Sequence, residues 1–178
     1  MVTRDIYRGR VVHLTVEDIT LPNGHTTSLE IVRHPGAAAV AALDDDACVT
    51  LIRQYRHAAG GWLWEVPAGK LDPGEEPAAC AARELEEEVG LAAGRLEHIG
   101  AIVTCPGFCD EVIHLFLATE ISAVPVRRGV DEVIDRVEHV PLRAALDLVR
   151  SGEIRDAKTI VALVQVALRY DERGQRRV

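Results

Sequence analysis

The chain has 178 residues, enough for one domain with a substantial core and at most a small appended element. Apolar residues make up 48% of it but aromatics only 4%, so Val, Leu, Ala and Ile must fill that core. A formal charge of −8 argues against nucleic acid and anionic membrane as partners, and an anionic substrate would need divalent metal to offset the repulsion.

The start, MVTRDIYRGR, has no apolar run of signal-peptide length, and no later stretch is long enough to span a bilayer. A cytoplasmic location is the expectation. From Arg10 to Glu17 and from Thr26 to Arg33 apolar and polar residues alternate around Leu21-Pro22-Asn23-Gly24, which predicts an antiparallel hairpin with positive φ at Asn-Gly. Val12, Leu14, Val16, Leu29 and Ile31 are candidates for one apolar face. A two-stranded unit is marginal alone, so this hairpin should dock on the core or on a partner chain. Pro35-Gly36 marks a boundary that divides the chain into residues 1–35, a hairpin subdomain expected to form dimers, and residues 36–178.

Ala37 to Leu43 and Ala47 to Tyr55 read as buried strands joined by a turn at Asp44-Asp45-Asp46. The second ends in Arg53-Gln54-Tyr55-Arg56, whose arginines either hold phosphate or pair with surface acids. Trp62 to Val66 is a further strand, with one tryptophan expected in the core and the other beside a pocket. Leu96 to Thr104, Val112 to Ala118 and Arg136 to Val140 are later strands, and Leu142 to Arg150 and Lys158 to Tyr170 are helices by periodicity. The polar tail from Asp171 is expected to fray. Cys48, Cys80, Cys105 and Cys109 lack close-paired metal-ligand spacing, so reduced thiols are expected.

The richest stretch is Gly69 to Leu91, GKLDPGEEPAACAARELEEEVGL. Pro77 suits a first helical turn and Gly90 the residue past the end, predicting a helix from Pro77 to Val89. Ala78, Ala82, Leu85 and Val89 share one stripe, while Glu84, Glu87 and Glu88 share another. Carboxylates at i, i+3 and i+4 repel, and only Arg83 is placed to relieve them, through Glu87 one turn on. The alternatives are a solvated acidic face or a hard-cation site for Mg²⁺ or Mn²⁺. Before the helix, Gly69 and Gly74 bracket a turn at Asp72-Pro73 that brings Glu75 back towards its start.

Gly69, five residues, Glu75, seven residues, then Arg83-Glu84-Leu85-Glu86-Glu87-Glu88-Val89-Gly90-Leu91 resembles the Nudix hydrolase signature at every fixed position. The likeness runs over nearly the whole chain and is closest to ADP-ribose pyrophosphatases, a subfamily marked by a proline such as Pro106, fifteen residues beyond Leu91. It implies an α/β fold, an α/β/α sandwich with a mixed sheet, preceded here by the N-terminal antiparallel hairpin. It also implies Mg²⁺-dependent hydrolysis of ADP-ribose to AMP and ribose 5-phosphate. Another nucleoside diphosphate sugar such as GDP-mannose, or a dinucleotide, is an alternative substrate, and a non-catalytic nucleotide-binding regulator is the alternative of a different class.

Carried over residue by residue, the resemblance implies that the Ala68 carbonyl, Glu84 and Glu88 bind metal, with Glu87 a further or alternative ligand. Arg83 would orient the carboxylates and Glu75 brace the loop. Arg56 would face the substrate phosphates, and Glu111 with the Pro106-Gly107 backbone would shape the ribose side. Glu30 matches a residue that relatives present to adenosine across a homodimer interface, although the arginine some of them carry just before it is Leu29 here. Glu132 would bind metal or act as general base, with Asp131 its rival, because a further acid found in relatives is Val130.

Overall fold

A computed structural model of the chain describes residues 2–129, 132–170 and Arg176. Val130, Asp131 and the remainder of the tail from Asp171 onward, named above for the base and for fraying, lie outside the described residues. Strands are β1 (Val2–Arg8), β2 (His13–Thr20), β3 (Thr26–Arg33), β4 (Ala37–Ala42), β5 (Cys48–Arg56), β6 (Gly61–Glu65), β7 (Ala68–Lys70), β8 (Leu91–Val103), β9 (Val112–Ala123) and β10 (Ile134–Pro141). Helices are α1 (Pro77–Val89), α2 (Leu142–Ser151) and α3 (Ala157–Arg169).

The centre of the molecule is β4, in a four-stranded mixed sheet of order β7-β4-β9-β8, where β4 runs parallel to β9 and antiparallel to β7. Its sequence, AAAVAA, is buried throughout because both faces are covered. Ala38, Val40 and Ala42 face Cys80, Ala81 and Leu85 of α1, whereas Ala37, Ala39 and Ala41 face the core shared with Leu163 and Val166 of α3. Side chains this small leave room for a helix on one side and for α3 with the β10-β5-β6 sheet on the other. The architecture is therefore an α/β sandwich with a mixed sheet, as the resemblance implies.

The N-terminal unit differs from the expected hairpin in having a third strand, β1, so the sheet order is β1-β2-β3. All seven residues of β1 are exposed, so no burial period marks them in the sequence. The turn takes positive φ at Gly24 and not at Asn23. The five apolar residues assigned to one face also separate. Leu29 pairs with Glu17 and Ile31 with Thr15, while Leu14 and Val16 pair with Val32 and Glu30, which puts the two sets on opposite faces. The unit attaches to the rest of the chain where Val32 exchanges backbone hydrogen bonds with Phe108 and Asp110.

Two strands are longer than their periodicity suggests. β8 begins directly after α1 and β9 continues to Ala123, because Leu91 to Ala93 pair with Ile121 to Ala123 despite the weak strand propensity of Ala92 and Ala93. The packed stripe of α1 is also rotated from the expected one: Cys80, Ala81, Glu84, Leu85 and Glu88 are buried, so part of the acidic face is itself turned inward.

Candidate functional site

Helix α1 starts without a side-chain cap, using Pro77 in the first turn, and stops at Gly90, whose φ of 68° lets its N–H return to Leu85 and Glu86. The preceding loop is pulled over it by Glu75, which accepts the Asp72 N–H at 3.0 Å and the Arg83 Nε at 2.9 Å. That pairing holds the Glu75 carboxyl down at about 2. Arg83 spans three acids, donating also to Glu84 at 2.7 Å and Glu87 at 3.1 Å. These contacts raise the pKa of its guanidinium further.

Glu84 and Glu88 lie one turn apart and are only 5% and 1% exposed. Glu132, from the loop before β10, completes a group whose ligand atoms all lie within 4.8 Å of one another. Glu87 is outside this group and accepts from the same Arg83 Nη1 that holds Glu84. Burial is the main reason that the Glu88 carboxyl is pushed up to about 8, against the pull of the Ala68 N–H that it accepts at 2.9 Å. The Glu84 carboxyl is raised as well, by burial that Arg83 only partly offsets. Two buried acids held together with a third form a site that needs positive charge, and an all-oxygen donor set suits a hard divalent cation.

Gly69 is required here by close approach. A Cβ built on it would fall on the Glu84 carboxylate, so β7 can lie against that carboxylate in its present position only without a side chain there.

The group opens into a cavity of about 1200 Å³. Ala68, Arg83, Arg56, Glu111 and Glu132 all line it alongside Glu84 and Glu88, so the fold brings together residues from five separate stretches. Glu111 is fixed by Thr104, which donates to it at 2.8 Å, and sits 3.4 Å from His34. Glu30, Pro106 and Gly107 do not line this cavity. Glu30 is exposed on β3, and Pro106 borders a smaller depression with Leu29 and Ile31.

The two arginines of β5 part company because strand neighbours three apart face opposite ways. Arg53 pairs with Asp135 at 2.8 Å and lies over the exposed ring of Trp62, away from the cavity. Trp64 packs on the core. Arg56 faces the cavity and lays Nε and Nη2 on the two oxygens of buried Glu65, each at 2.8 Å. Lys158 also donates to Glu65 and stands 3.1 Å from Asp156. Despite its burial Glu65 is held below the ordinary carboxylate range, because Arg56 and Lys158 outweigh the desolvation. Asp156 caps α3, accepting the Thr159 N–H at 3.0 Å, and Thr159 in turn accepts the Val66 N–H at 2.9 Å.

Glu65 and Lys158 were not singled out for the site by sequence reasoning. The signal available was a lone acid in the apolar run Trp62-Leu63-Trp64-Glu65-Val66.

The NUDIX domain family model matches residues 32–163. The chain is 45% identical over 172 residues to an ADP-ribose pyrophosphatase of Bacillus subtilis (strain 168), covering 96% of this chain and 93% of that one. It is 42% identical over 168 residues to a methanol dehydrogenase activator of Bacillus methanolicus, covering 93% and 90%. A crystal structure of an ADP compounds hydrolase aligns with a TM-score of 0.80 at 24% identity, covering 93% of this chain and 90% of that one, and shares the fold. A signature helix with its acids turned inward, a matched domain and relatives this similar along nearly their full length together show that the chain belongs to the Nudix hydrolase family.

Proposed function

We propose that the chain hydrolyses the diphosphate of ADP-ribose to AMP and ribose 5-phosphate with Mg²⁺, Mn²⁺ being able to substitute. The observation that carries this reading is the convergence of Glu84, Glu88 and Glu132 in a cavity that Arg56 also faces. The Ala68 carbonyl, Glu84, Glu88 and Glu132 would hold the cation, with Glu87 a further ligand only if it leaves Arg83. When bound there, a divalent cation lowers the pKa of water and offsets charge building on the bridging oxygen.

The protein's own groups supply the rest. Arg83 keeps the carboxylates apart and aligned. Arg56, steadied by Glu65, offers its remaining N–H groups to a phosphate. Glu132, where it is not itself a ligand of the cation, takes the proton of the attacking water, with Asp131 its rival. That oxygen bonds to one phosphorus, the bridging P–O bond breaks with its electron pair on the departing phosphate, and the two monophosphates result. Glu111 shapes the ribose side from the cavity wall, a role that Pro106 and Gly107, which do not line this cavity, lack within this chain.

The same proposal treats residues 1–35 as a subdomain that pairs two copies and residues 36–178 as the hydrolase domain. Its support is the exposed β1, with Val2, Ile6 and Tyr7 uncovered, and Glu30 standing on a β2–β3 face away from its own cavity. Free thiols at Cys48, Cys80, Cys105 and Cys109 fit a reducing, cytoplasmic compartment. Among the described residues no helix is long and apolar enough to cross a membrane.

The test is hydrolysis by purified protein with Mg²⁺ against ADP-ribose, GDP-mannose and diadenosine polyphosphates, reading the products. ADP-ribose should be cleaved fastest, to AMP and ribose 5-phosphate. Preference for GDP-mannose or a dinucleotide would replace the substrate, and binding of nucleotide without cleavage of any would overturn the enzymatic reading.

A further inference from the structure

Glu132 reaches the acids of α1 from a loop, so its place in the site depends on how that loop is fixed against the helix. On the C-terminal side β5 does this, where the Val133 carbonyl accepts the Tyr55 N–H at 2.9 Å. On the N-terminal side the chain from Val124 to Gly129 runs over the end of α1 itself. The last carbonyls of a helix lack partners within it, and here the loop supplies them. Gly90 accepts the Val124 N–H at 2.9 Å, Glu87 accepts the Arg127 N–H at 3.2 Å, and the Glu88 carbonyl accepts Nε of Arg128 at 2.7 Å. The approach is close: a Cβ built on Gly90 would stand 2.7 Å from the Val124 carbonyl oxygen and 2.6 Å from Cγ2 of Val126.

Arg128 is followed by Gly129, which holds Glu132 from both sides. The Gly129 N–H donates to Oε2 of Glu132 at 2.9 Å, and the Gly129 carbonyl accepts the Glu132 N–H at 3.2 Å. A closed circuit results. The main chain of Glu88 holds Arg128, the next residue orients the Glu132 carboxylate, and that carboxylate meets those of Glu84 and Glu88 within 4.8 Å. Glu88 thus enters the circuit twice, by its carbonyl and by its carboxylate. Arg128 does not line the cavity, so its effect on the site passes through the loop.

We propose that Arg128 is a positioning residue for Glu132, its Nε bond to the Glu88 carbonyl setting the loop acid at its distance from the acids of α1. The proposal rests on the reading of Glu84, Glu88 and Glu132 as a cation site.

The experiment compares Arg128→Gln with Arg128→Met, each alone and combined with Glu132→Gln. It reads kcat and KM for ADP-ribose, Mn²⁺ binding without substrate through the electron paramagnetic resonance signal of free Mn²⁺, and melting without metal. Both substitutions remove the charge, but Gln carries an N–H donor as many bonds from Cα as Nε, whereas Met has none. Arg128→Met should lower kcat about 10-fold with little change in KM, because the loop acid is misplaced. It should also weaken Mn²⁺ binding about five-fold, the value of one hydrogen bond. Arg128→Gln should stay within about two-fold of wild type in both. With Glu132 already replaced, Arg128→Met should have no further effect on either, since the group it positions no longer acts. A loss as large in the Glu132→Gln background overturns the inference, as do equal losses in Arg128→Gln and Arg128→Met. So does an Arg128→Met protein that melts lower yet turns over and binds Mn²⁺ as wild type does, which is what helix capping alone would give. Wild-type turnover and Mn²⁺ binding in Glu132→Gln itself overturn the place of Glu132 in the cation site, a separate and visible failure.

Discussion

Arg56 and Glu65 meet through two parallel hydrogen bonds of 2.8 Å, with the carboxylate fully inside the protein and the guanidinium at the cavity wall. Such a fork fixes the plane of the arginine as well as its position.

Glu65→Gln should therefore disturb both stability and substrate binding. It removes the one negative charge that balances Arg56 and half-compensates Lys158 in the interior, and a broken buried pair costs about 3 kcal/mol. Urea unfolding should register that loss, and the KM for ADP-ribose should rise. A change below about 0.5 kcal/mol, within the range of ordinary surface substitutions, would contradict the assignment.

Gly69→Ala places a methyl group where the Glu84 carboxylate lies. The far end of a flexible side chain can swing away, so the fold should survive with little change in melting. If Glu84 holds the proposed cation, displacing it by about an ångström should reduce hydrolysis about 100-fold. Wild-type turnover in this variant would show that the Glu84 position is not used.

The Glu88 carboxyl, pushed by burial from 4.5 to about 8, holds a proton in the folded state that the unfolded chain has already lost. Between those values the folded protein binds more protons than the unfolded one. Metal-free protein should accordingly lose stability as pH rises from about 4.5 to about 8. Divalent cation competes with that proton, so the stabilisation it confers should grow over the same window. Scanning calorimetry with chelator and with Mg²⁺ across this range checks both trends.

Glu75 behaves in the opposite sense, because Arg83 lowers its carboxyl from 4.5 to about 2. The stability it contributes is complete above the higher value and disappears as pH falls towards the lower one. Melting curves of wild type and Glu75→Gln should differ most at neutral pH and converge in acid. A constant offset down to about pH 2 would mean that the pairing with Arg83 is not what Glu75 contributes.

Among the described residues Glu132 hydrogen-bonds within its own loop, accepting the Gly129 N–H at 2.9 Å. Replacing it by Gln keeps the shape, so melting should shift by about 2 °C or less. Turnover should fall about 100-fold or more if it takes the proton from water. Unchanged turnover would remove Glu132 from the chemistry.

The chemistry of α1 was legible because its information is local. Pro77, Gly90 and the i, i+3, i+4 carboxylates act within one helix whose period is known in advance. The strand β4 was equally plain, since an unbroken apolar run between Gly36 and Asp44 has few alternatives to a buried strand. β1 was not, because an exposed edge strand carries no burial period.

Which acid joins Glu84 and Glu88 was a question of another kind. Helical spacing groups Glu87 with them and the resemblance adds Glu132; the three-dimensional arrangement brings Glu132, from a loop more than forty residues on, within 4.8 Å of both, while Glu87 pairs with Arg83. The sequence by itself determined the helix and the clustering of its carboxylates, because residue type and helical period set them, while the reaction class came only from the resemblance to the Nudix signature. Only the tertiary structure decided how closely Glu84, Glu88 and Glu132 converge and that Arg56 pairs with Glu65. Distances between segments far apart in the chain depend on how sheets and helices pack, and no local period encodes them.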